Sequence, residues 1–146
     1  MVKVHTIEMI EHSAHSTPNV KAHADMINGA LVGLGDGVTK APAAGEELYV
    51  VLNTQVGDDA YAEEYPIAKD SYVNLFRVSN WDGKELEISS TNLVDDYDSV
   101  NVGSVLTFDP DTFKFKVGTG DIKFTVTKKF GASINALLAT ISVEEG

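Results

Sequence analysis

The sequence predicts a mainly β fold: a small β-barrel or sandwich with an extended N-terminal arm. Short apolar runs of strand length alternate with turns rich in glycine, aspartate and asparagine, a pattern typical of barrels and sandwiches. Residues 1–25 are polar and only weakly periodic, and Pro18 disfavours helical geometry in the residue before it. We therefore divide the chain into an arm, residues 1–25, and a β-barrel body, residues 26–146.

The body is predicted to open with a turn and two short strands. Asn28-Gly29 is a strong turn dipeptide, and residues 30–32 after it are apolar. Residues 33–37 contain three glycines and predict a tight turn, because no helical pattern follows that could receive the phosphates of a nucleotide. Residues 47–52 are apolar on both faces, which predicts a central or sandwiched strand.

A first hairpin is predicted in the middle of the chain. Residues 72–79 and 84–89 are strand-like runs on either side of an Asp-Gly turn at residues 82–83. In the second of these runs Leu86 and Ile88 alternate with glutamates. This alternation predicts a strand with one buried face and one solvated face.

A second hairpin is predicted to join residues 113–117 to residues 122–127 through a glycine-rich turn at residues 118–121. Apolar residues alternate with lysines and threonines along both runs, which predicts a hairpin with its aromatic face turned inward. Residues 103–108 and 136–143 are two further predicted strands. The inward-facing residues of the hairpin are Phe113, Phe115, Val117, Ile122, Phe124 and Val126.

The charge balance excludes two classes of partner. The chain has 22 acidic residues against 11 Lys and Arg, a net charge of −11. Nucleic-acid binding draws its affinity from cations that displace phosphate counterions, and an anionic membrane surface also repels an acidic protein. No apolar run approaches the roughly 20 residues that a membrane-spanning helix needs. We expect no nucleic-acid partner, no membrane partner and no secretory signal.

The residue inventory also excludes most catalytic chemistry. Residues 24–146 contain no histidine, and the chain contains no cysteine. The body therefore lacks a Ser–His or Cys–His pair and a thiolate zinc site. The acidic clusters at residues 95–98 and 109–111 lack the ligand order of a calcium loop. We expect no catalytic residue, no cofactor and no metal site, and hence a structural or binding role and not an enzyme.

Two features are candidates for contact with a partner. All four histidines lie in the arm, where the spacing of His12 and His15 would suit one helical turn, but two ligands do not make a metal site. Trp81, the only tryptophan, lies in the predicted turn between two strands. It either caps the hairpin against the barrel or serves as an interface anchor, a role in which tryptophan is enriched.

The order of these features resembles the small capsid decoration (cement) proteins of tailed bacteriophages over roughly residues 26–130. The resemblance consists of turns and apolar runs in a shared order. In chain order they are Asn28-Gly29-Ala30-Leu31-Val32 after a polar leader, Gly35-Asp36, residues 47–52, residues 72–79, Asp82-Gly83-Lys84 before residues 85–89, Gly103-Ser104-Val105-Leu106, and Lys114-Phe115.

The resemblance implies a β-tulip barrel on the exterior of an icosahedral phage head, made in the host cytoplasm and assembled into the virion. Such proteins form trimers or dimers and brace neighbouring major capsid subunits. The arm would be the capsid-binding element, ordered on assembly, and could add a strand to a sheet edge of the major capsid protein. Its candidate contact residues are Val2, Val4, His5, Ile7, Ile10, His12, His15, Val20 and His23.

The chain differs from these capsid decoration proteins in two features, and other functions are alternatives to this one. The acidic insert at residues 58–70 and the histidines of the arm differ from some members of that family. The alternatives are another phage virion β-protein, such as a tail-tube or head-fibre subunit, and a ligand-binding or carbohydrate-binding β-domain.

Because unperturbed histidine titrates near neutrality, attachment through the arm should depend on pH between about 5 and 7.5. Acidification would weaken attachment or strengthen it.

Overall fold

The protein is described here from a computed structural model, which covers residues 2–4, 20–52, 66–131 and 135–143. The predicted mainly β fold is confirmed, and its largest sheet curls into a half-barrel. Short 3-10 helices span Val78–Trp81, Ser90–Asn92 and Tyr97–Ser99. The strands are β1 (Val2–Val4), β2 (Val20–Lys21), β3 (Met26–Ile27), β4 (Leu31–Leu34), β5 (Thr39–Lys40), β6 (Tyr49–Val51), β7 (Pro66–Ile67), β8 (Tyr72–Val73), β9 (Leu75–Arg77), β10 (Glu85–Ser89), β11 (Val105–Phe108), β12 (Phe115–Val117), β13 (Ile122–Gly131) and β14 (Asn135–Val143).

The main sheet contains six antiparallel strands in the order β1-β10-β14-β13-β11-β12. In β10, Leu86 and Ile88 are fully buried while the alternating glutamates are half-buried, which confirms the predicted two-faced strand. A β-bulge between Val126 and Lys128 interrupts the pairing of β13 with β14. Because a bulge bends its strand and increases the local twist, it helps the sheet to curl.

A second, four-stranded sheet in the order β5-β4-β6-β9 lies between two apolar clusters. Along β6, Val50 belongs to the larger cluster beneath the main sheet, whereas Tyr49 and Val51 belong to the smaller one. All three side chains are buried, so the run that is apolar on both faces is a sandwiched strand, as predicted. Burying an aliphatic or aromatic side chain stabilises the fold by about 1.5–3 kcal/mol, which explains why both faces are apolar.

The glycine-rich run at residues 33–37 forms the predicted tight turn. It joins β4 to β5, whose register places Leu34 opposite Thr39. The amide of Gly35 donates to the carbonyl oxygen of Val38 at 2.8 Å. Gly37 has a φ of 74°, in the left-handed region that favours glycine, so the glycine serves the turn geometry.

The predicted pairing of residues 113–117 with residues 122–127 is wrong, because β11 lies between those two strands. Leu106 of β11 is opposite Val117 on one side and opposite Phe124 on the other. The chain reverses before β12, where the amide of Phe113 donates to the carbonyl oxygen of Asp109 at 2.9 Å. The hairpin is therefore β11–β12, and the glycine-rich turn carries the chain across β11 to β13.

This topology changes the positions of two residues predicted to face inward. Phe113 has a φ of 63°, which removes it from the row of β12, and it packs on the smaller apolar cluster. Val117 is 48% exposed at the end of β12. Phe115 and Phe124 are fully buried in the larger cluster, as predicted.

The predicted hairpin between residues 72–79 and residues 84–89 is also wrong, because β9 and β10 belong to different sheets. The 3-10 helix Val78–Trp81 separates them, and the amide of Val78 donates to the carbonyl oxygen of Leu48 at 3.0 Å. After the turn, Gly83 donates to the carbonyl oxygen of Ile141 at 2.7 Å. These contacts direct β9 to β6 and β10 to β14.

The body begins earlier than the predicted boundary at residue 26. Strand β2 pairs with β8, which places Val20 opposite Val73. Val20 is 2% exposed and Ala22 is fully buried, and both belong to the smaller apolar cluster. Residues 20–25 therefore belong to the body and not to the arm, because their apolar side chains close its second core.

Candidate interaction site

The two ends of the main sheet differ in how their outer edges are covered. At one end lies β1, which pairs antiparallel with β10 and places Val2 opposite Ile88, Lys3 opposite Glu87 and Val4 opposite Leu86. Within the described residues, no strand pairs with the outer side of β1. An edge strand presents unpaired N–H and C=O groups that another chain can use for strand addition.

The opposite edge, at β12, is covered by the segment that follows the 3-10 helix Ser90–Asn92. The amide of Val94 donates to the carbonyl oxygen of Phe115 at 2.8 Å. The carboxylate of Asp95 accepts a hydrogen bond from the amide of Val117 at 2.7 Å. These contacts occupy main-chain polar groups on the outer side of β12, so within the described residues the edge at β1 is the less covered of the two.

The structure places the predicted arm contacts in three groups. Val2 and Val4 lie in β1, so this part of the arm is already paired in the isolated chain. Val20 is buried and His23 is held against the body in the isolated chain, so their role as adhesive contacts stays a prediction. His5, Ile7, Ile10, His12 and His15 lie outside the described residues.

His23 is fixed by Thr39 and Phe113. The Thr39 hydroxyl oxygen accepts a hydrogen bond from the His23 amide at 3.0 Å and lies 2.6 Å from Nδ1 of the ring. The ring meets Phe113 edge-on, with 5.1 Å between ring centroids. Burial lowers the pKa of His23 below its ordinary value, and the positive charge of Lys69 lowers this pKa further.

We expect His23 to make the fold less stable in mild acid. Because its folded-state pKa is lowered from 6.5, the unfolded chain binds the proton more tightly. The stabilisation is complete above pH 6.5 and is lost as the pH falls through the lower folded-state pKa. Urea unfolding at several pH values between about 5 and 7.5 should show a smaller decline for His23→Gln than for the native chain. Parallel declines in the two chains would contradict this assignment.

The indole of Trp81, the candidate interface anchor, lies in the core of the isolated chain. The side chain is fully buried and stacks on Phe76 with 6.0 Å between ring centroids. Its Nε1 has no hydrogen-bond partner among the described residues. Trp81 therefore caps the larger apolar cluster, which is the other interpretation of its position in the sequence.

An exposed row of side chains, which no sequence motif indicates, crosses the small sheet of β2 and β8. Lys21 pairs with Tyr72 in this sheet and forms a parallel bridge with Val38 on its other side. Tyr72 is 64% exposed, and the Lys21 ammonium lies 5.3 Å from the centroid of its ring. The sequence predicts one strand over residues 72–79, whereas β8 and β9 are separate strands that pair with different partners.

A surface groove of about 350 Å³ lies between the loop of residues 42–46 and the segment of residues 119–122. Thr107 and Phe108 of β11 line it between these two segments. We call this cavity the Phe108 groove. No sequence motif indicates it, because its walls come from segments more than sixty residues apart in the chain.

Neither the remaining features of the described residues nor the comparisons with known proteins identify a chemical activity. Within residues 2–4, 20–52, 66–131 and 135–143, no three His, Cys, Asp or Glu side chains converge on a metal position. Across the same ranges, no helix reaches the length and apolarity needed to cross a membrane. The chain matches no protein-family model, no curated protein and no solved structure in the comparisons.

Proposed function

We propose that this chain is a structural virion protein that binds the outside of an icosahedral phage head and stabilises contacts between major capsid subunits. The observation that supports the proposal best is the asymmetry of the main sheet. The edge at β12 is covered, whereas no strand among the described residues pairs with the outer side of β1, which lies in the N-terminal arm. The resemblance to capsid decoration proteins supplies the partner class.

In this mechanism β1 is the middle strand between the body and the capsid. Its inner side pairs with β10, and its outer side accepts a strand of the major capsid protein. Main-chain hydrogen bonds then provide adhesion, while alternate side chains provide specificity. Each pairing of β1 with a capsid strand, which we call a joint, involves only three residues of this chain and is weak. Assembly into a dimer or trimer would engage several joints at once and raise the avidity. The net charge of −11 suits an exterior position, away from packaged nucleic acid.

We expect Lys3→Glu to weaken attachment and a second change, Glu87→Lys, to restore it. The register places Lys3 opposite Glu87 in the β1–β10 pair. Opposite charges at directly paired positions contribute about 0.2–1 kcal/mol, and like charges there are destabilising. The protein concentration at half-occupancy of heads should rise by roughly 2–5-fold in the single variant. If the double variant binds as poorly as Lys3→Glu, the β1–β10 pair is not part of the joint.

The proposed function is tested by mixing the purified full chain with expanded empty heads of the phage. The expected result is saturable binding at a fixed copy number per head, accompanied by greater resistance of the heads to heat. Bovine serum albumin at matched concentration is the control for non-specific adsorption. Binding that never saturates, or no binding, would overturn the proposal.

A second candidate, a ligand-binding β-domain, is favoured by one observation, the Phe108 groove. At about 350 Å³ it is within the size range of ligand-binding clefts. The aromatic residues Phe115 and Phe124 are buried and contribute no surface platform for a carbohydrate.

A further inference from the structure

We infer that Asn28 is a site of spontaneous deamidation, which the fold keeps inactive and which opening of the turn between β3 and β4 exposes. Among the asparagines of the chain, only Asn28 is followed by a glycine. The inference concerns chemistry within the isolated chain, so it does not depend on the capsid role.

The reaction needs only groups of this chain and water. The main-chain nitrogen of Gly29 loses its proton and bonds to Cγ of Asn28, and the side-chain nitrogen leaves with that proton as ammonia. Water then opens the cyclic imide at either carbonyl group, which gives aspartate or isoaspartate. A glycine in the second position favours the attack, because it has no Cβ to obstruct the ring and its backbone is conformationally free.

The turn that contains Asn28 holds the attacking nitrogen away from its target. The amide of Ala30 donates to the carbonyl oxygen of Ile27 at 3.1 Å. Gly29 has a φ of 92°, whereas Asn28 has no positive φ, so the turn is of type II with glycine in its third position. The second residue of such a turn has a ψ of about 120°, which directs the Gly29 nitrogen away from the side chain of Asn28.

Both polar ends of the peptide group between Asn28 and Gly29 are hydrogen-bonded. Its N–H donates to the carbonyl oxygen of Val51 at 2.7 Å. Its carbonyl oxygen accepts a hydrogen bond from Nδ2 of Asn92, a fully buried residue, at 3.1 Å. Attack requires this peptide group to rotate and to lose its proton, so both hydrogen bonds must break first. Asn28 is also only 5% exposed, which limits the access of water.

The product would not fit the native turn. Deamidation replaces a neutral amide by a carboxylate at a buried position, and burial of a charge is unfavourable. Isoaspartate also adds a methylene group to the main chain of the turn. We therefore expect deamidation to accumulate in chains that have opened and to hinder their return to the native fold.

The first test compares deamidation of the purified full chain in mildly alkaline buffer with and without guanidinium chloride. Proteolytic digestion and mass spectrometry give the rate at each asparagine. The rate at Asn28 should be at least about tenfold lower in the folded chain, because reaction requires local opening. Asn101 is the internal control: it is exposed in the folded chain and precedes the β-branched Val102, so its low rate should change little. Equal rates at Asn28 in the two conditions, or no reaction of the unfolded chain, would overturn the inference.

A variant tests the hydrogen bonds that hold the peptide group. Asn92→Ala removes the donor to the Asn28 carbonyl oxygen and should raise the rate at Asn28 in the folded chain by roughly fivefold. Asn101→Ala is the matched control and should leave this rate at its native value. In guanidinium chloride both variants should react like the native chain. An unchanged rate in folded Asn92→Ala would contradict the role of this hydrogen bond.

If Asn92→Ala does not fold, hydrogen exchange of the Gly29 amide in the native chain decides the result. This amide should exchange slowly, because its hydrogen bond to Val51 must open first. Rapid exchange together with slow deamidation would show that this bond does not protect the site.

The product is tested separately through Asn28→Asp. This variant should raise the equilibrium constant of unfolding by about tenfold or more, whereas Asn101→Asp, at an exposed position, should leave it near the native value. Equal unfolding midpoints for the two variants would contradict the expected loss of fold. None of these measurements contains phage heads, so their failure would leave head binding to be judged by its own experiment.

Discussion

Phe115→Ala is expected to lower the free energy of unfolding by about 3–5 kcal/mol, the usual cost of removing a buried phenylalanine ring. Phe115 is fully buried and meets Phe124 edge-on, with 4.8 Å between ring centroids. Its backbone also supports both neighbours of β12, since it is opposite Phe108 and bridges Leu93. Truncation would therefore leave a cavity where the main sheet meets the segment that covers its edge.

Urea unfolding followed by far-UV circular dichroism measures this loss. Val117→Ala is the matched control, because Val117 lies on the same strand and is 48% exposed. Surface substitutions of this kind usually change stability by less than about 0.5 kcal/mol. Equal unfolding midpoints for the two variants would contradict the position of Phe115 in the core.

Trp81→Ala is expected to cost a similar amount, about 3–5 kcal/mol, whereas Trp81→Phe should cost much less. The indole is a fully buried member of the larger apolar cluster and stacks on Phe76. Phenylalanine retains most of this contact and removes the Nε1 donor, which has no partner among the described residues. The difference in the free energy of unfolding between Trp81→Ala and Trp81→Phe measures how much the packing of the ring stabilises the fold.

Thermal and urea unfolding of both variants, with head binding measured in parallel, distinguish the two roles considered for this residue. A core residue affects stability first, and any loss of binding follows the loss of fold. If Trp81→Ala kept its unfolding midpoint but no longer attached to heads, the indole would be an interface anchor and its burial in the free chain would not persist.

Local patterns in the sequence predicted local structure well. The two-sided apolar run at residues 47–52 contains the sandwiched strand β6, since a strand between two cores must be apolar on both faces. The alternation around Leu86 and Ile88 predicted which face of β10 is buried. The glycines of residues 33–37 predicted the turn between β4 and β5. Each of these signals depends on residues close together in the chain.

Strand partners were harder to predict, because pairing joins residues that are distant in sequence. A glycine-rich turn at residues 118–121 is compatible with a hairpin and with a crossing to the far side of β11, and the structure has the crossing. The left-handed backbone of Phe113 interrupts an alternation that the sequence alone presents as continuous. The Phe108 groove was missed for the same reason, since its walls meet only in the folded chain.

Residues 1–25 are polar in sequence, yet the described residues of this range lie in two different environments. Val20 and Ala22 are part of the second core, although charged and polar residues surround them in the sequence. Val2–Val4 form an edge strand, although a segment without a core-facing pattern predicted order only on assembly. A strand of two or three residues is too short to produce a clear alternation, so its pairing becomes visible only when its partner is known.

The most direct test of the central claim is the occupancy of expanded empty heads by the native chain and by a variant in which Val2-Lys3-Val4 is replaced by Gly-Ser-Gly. This variant keeps the length of the chain and the buried residues of the body while removing the residues that form β1. Circular dichroism and urea unfolding would establish that its body is folded. We predict that the native chain saturates the heads at a fixed copy number and that the folded variant binds at least about tenfold more weakly, since several joints would be weakened at once. Saturation of the heads by the variant with unchanged affinity would contradict the claim that β1 is the attachment element.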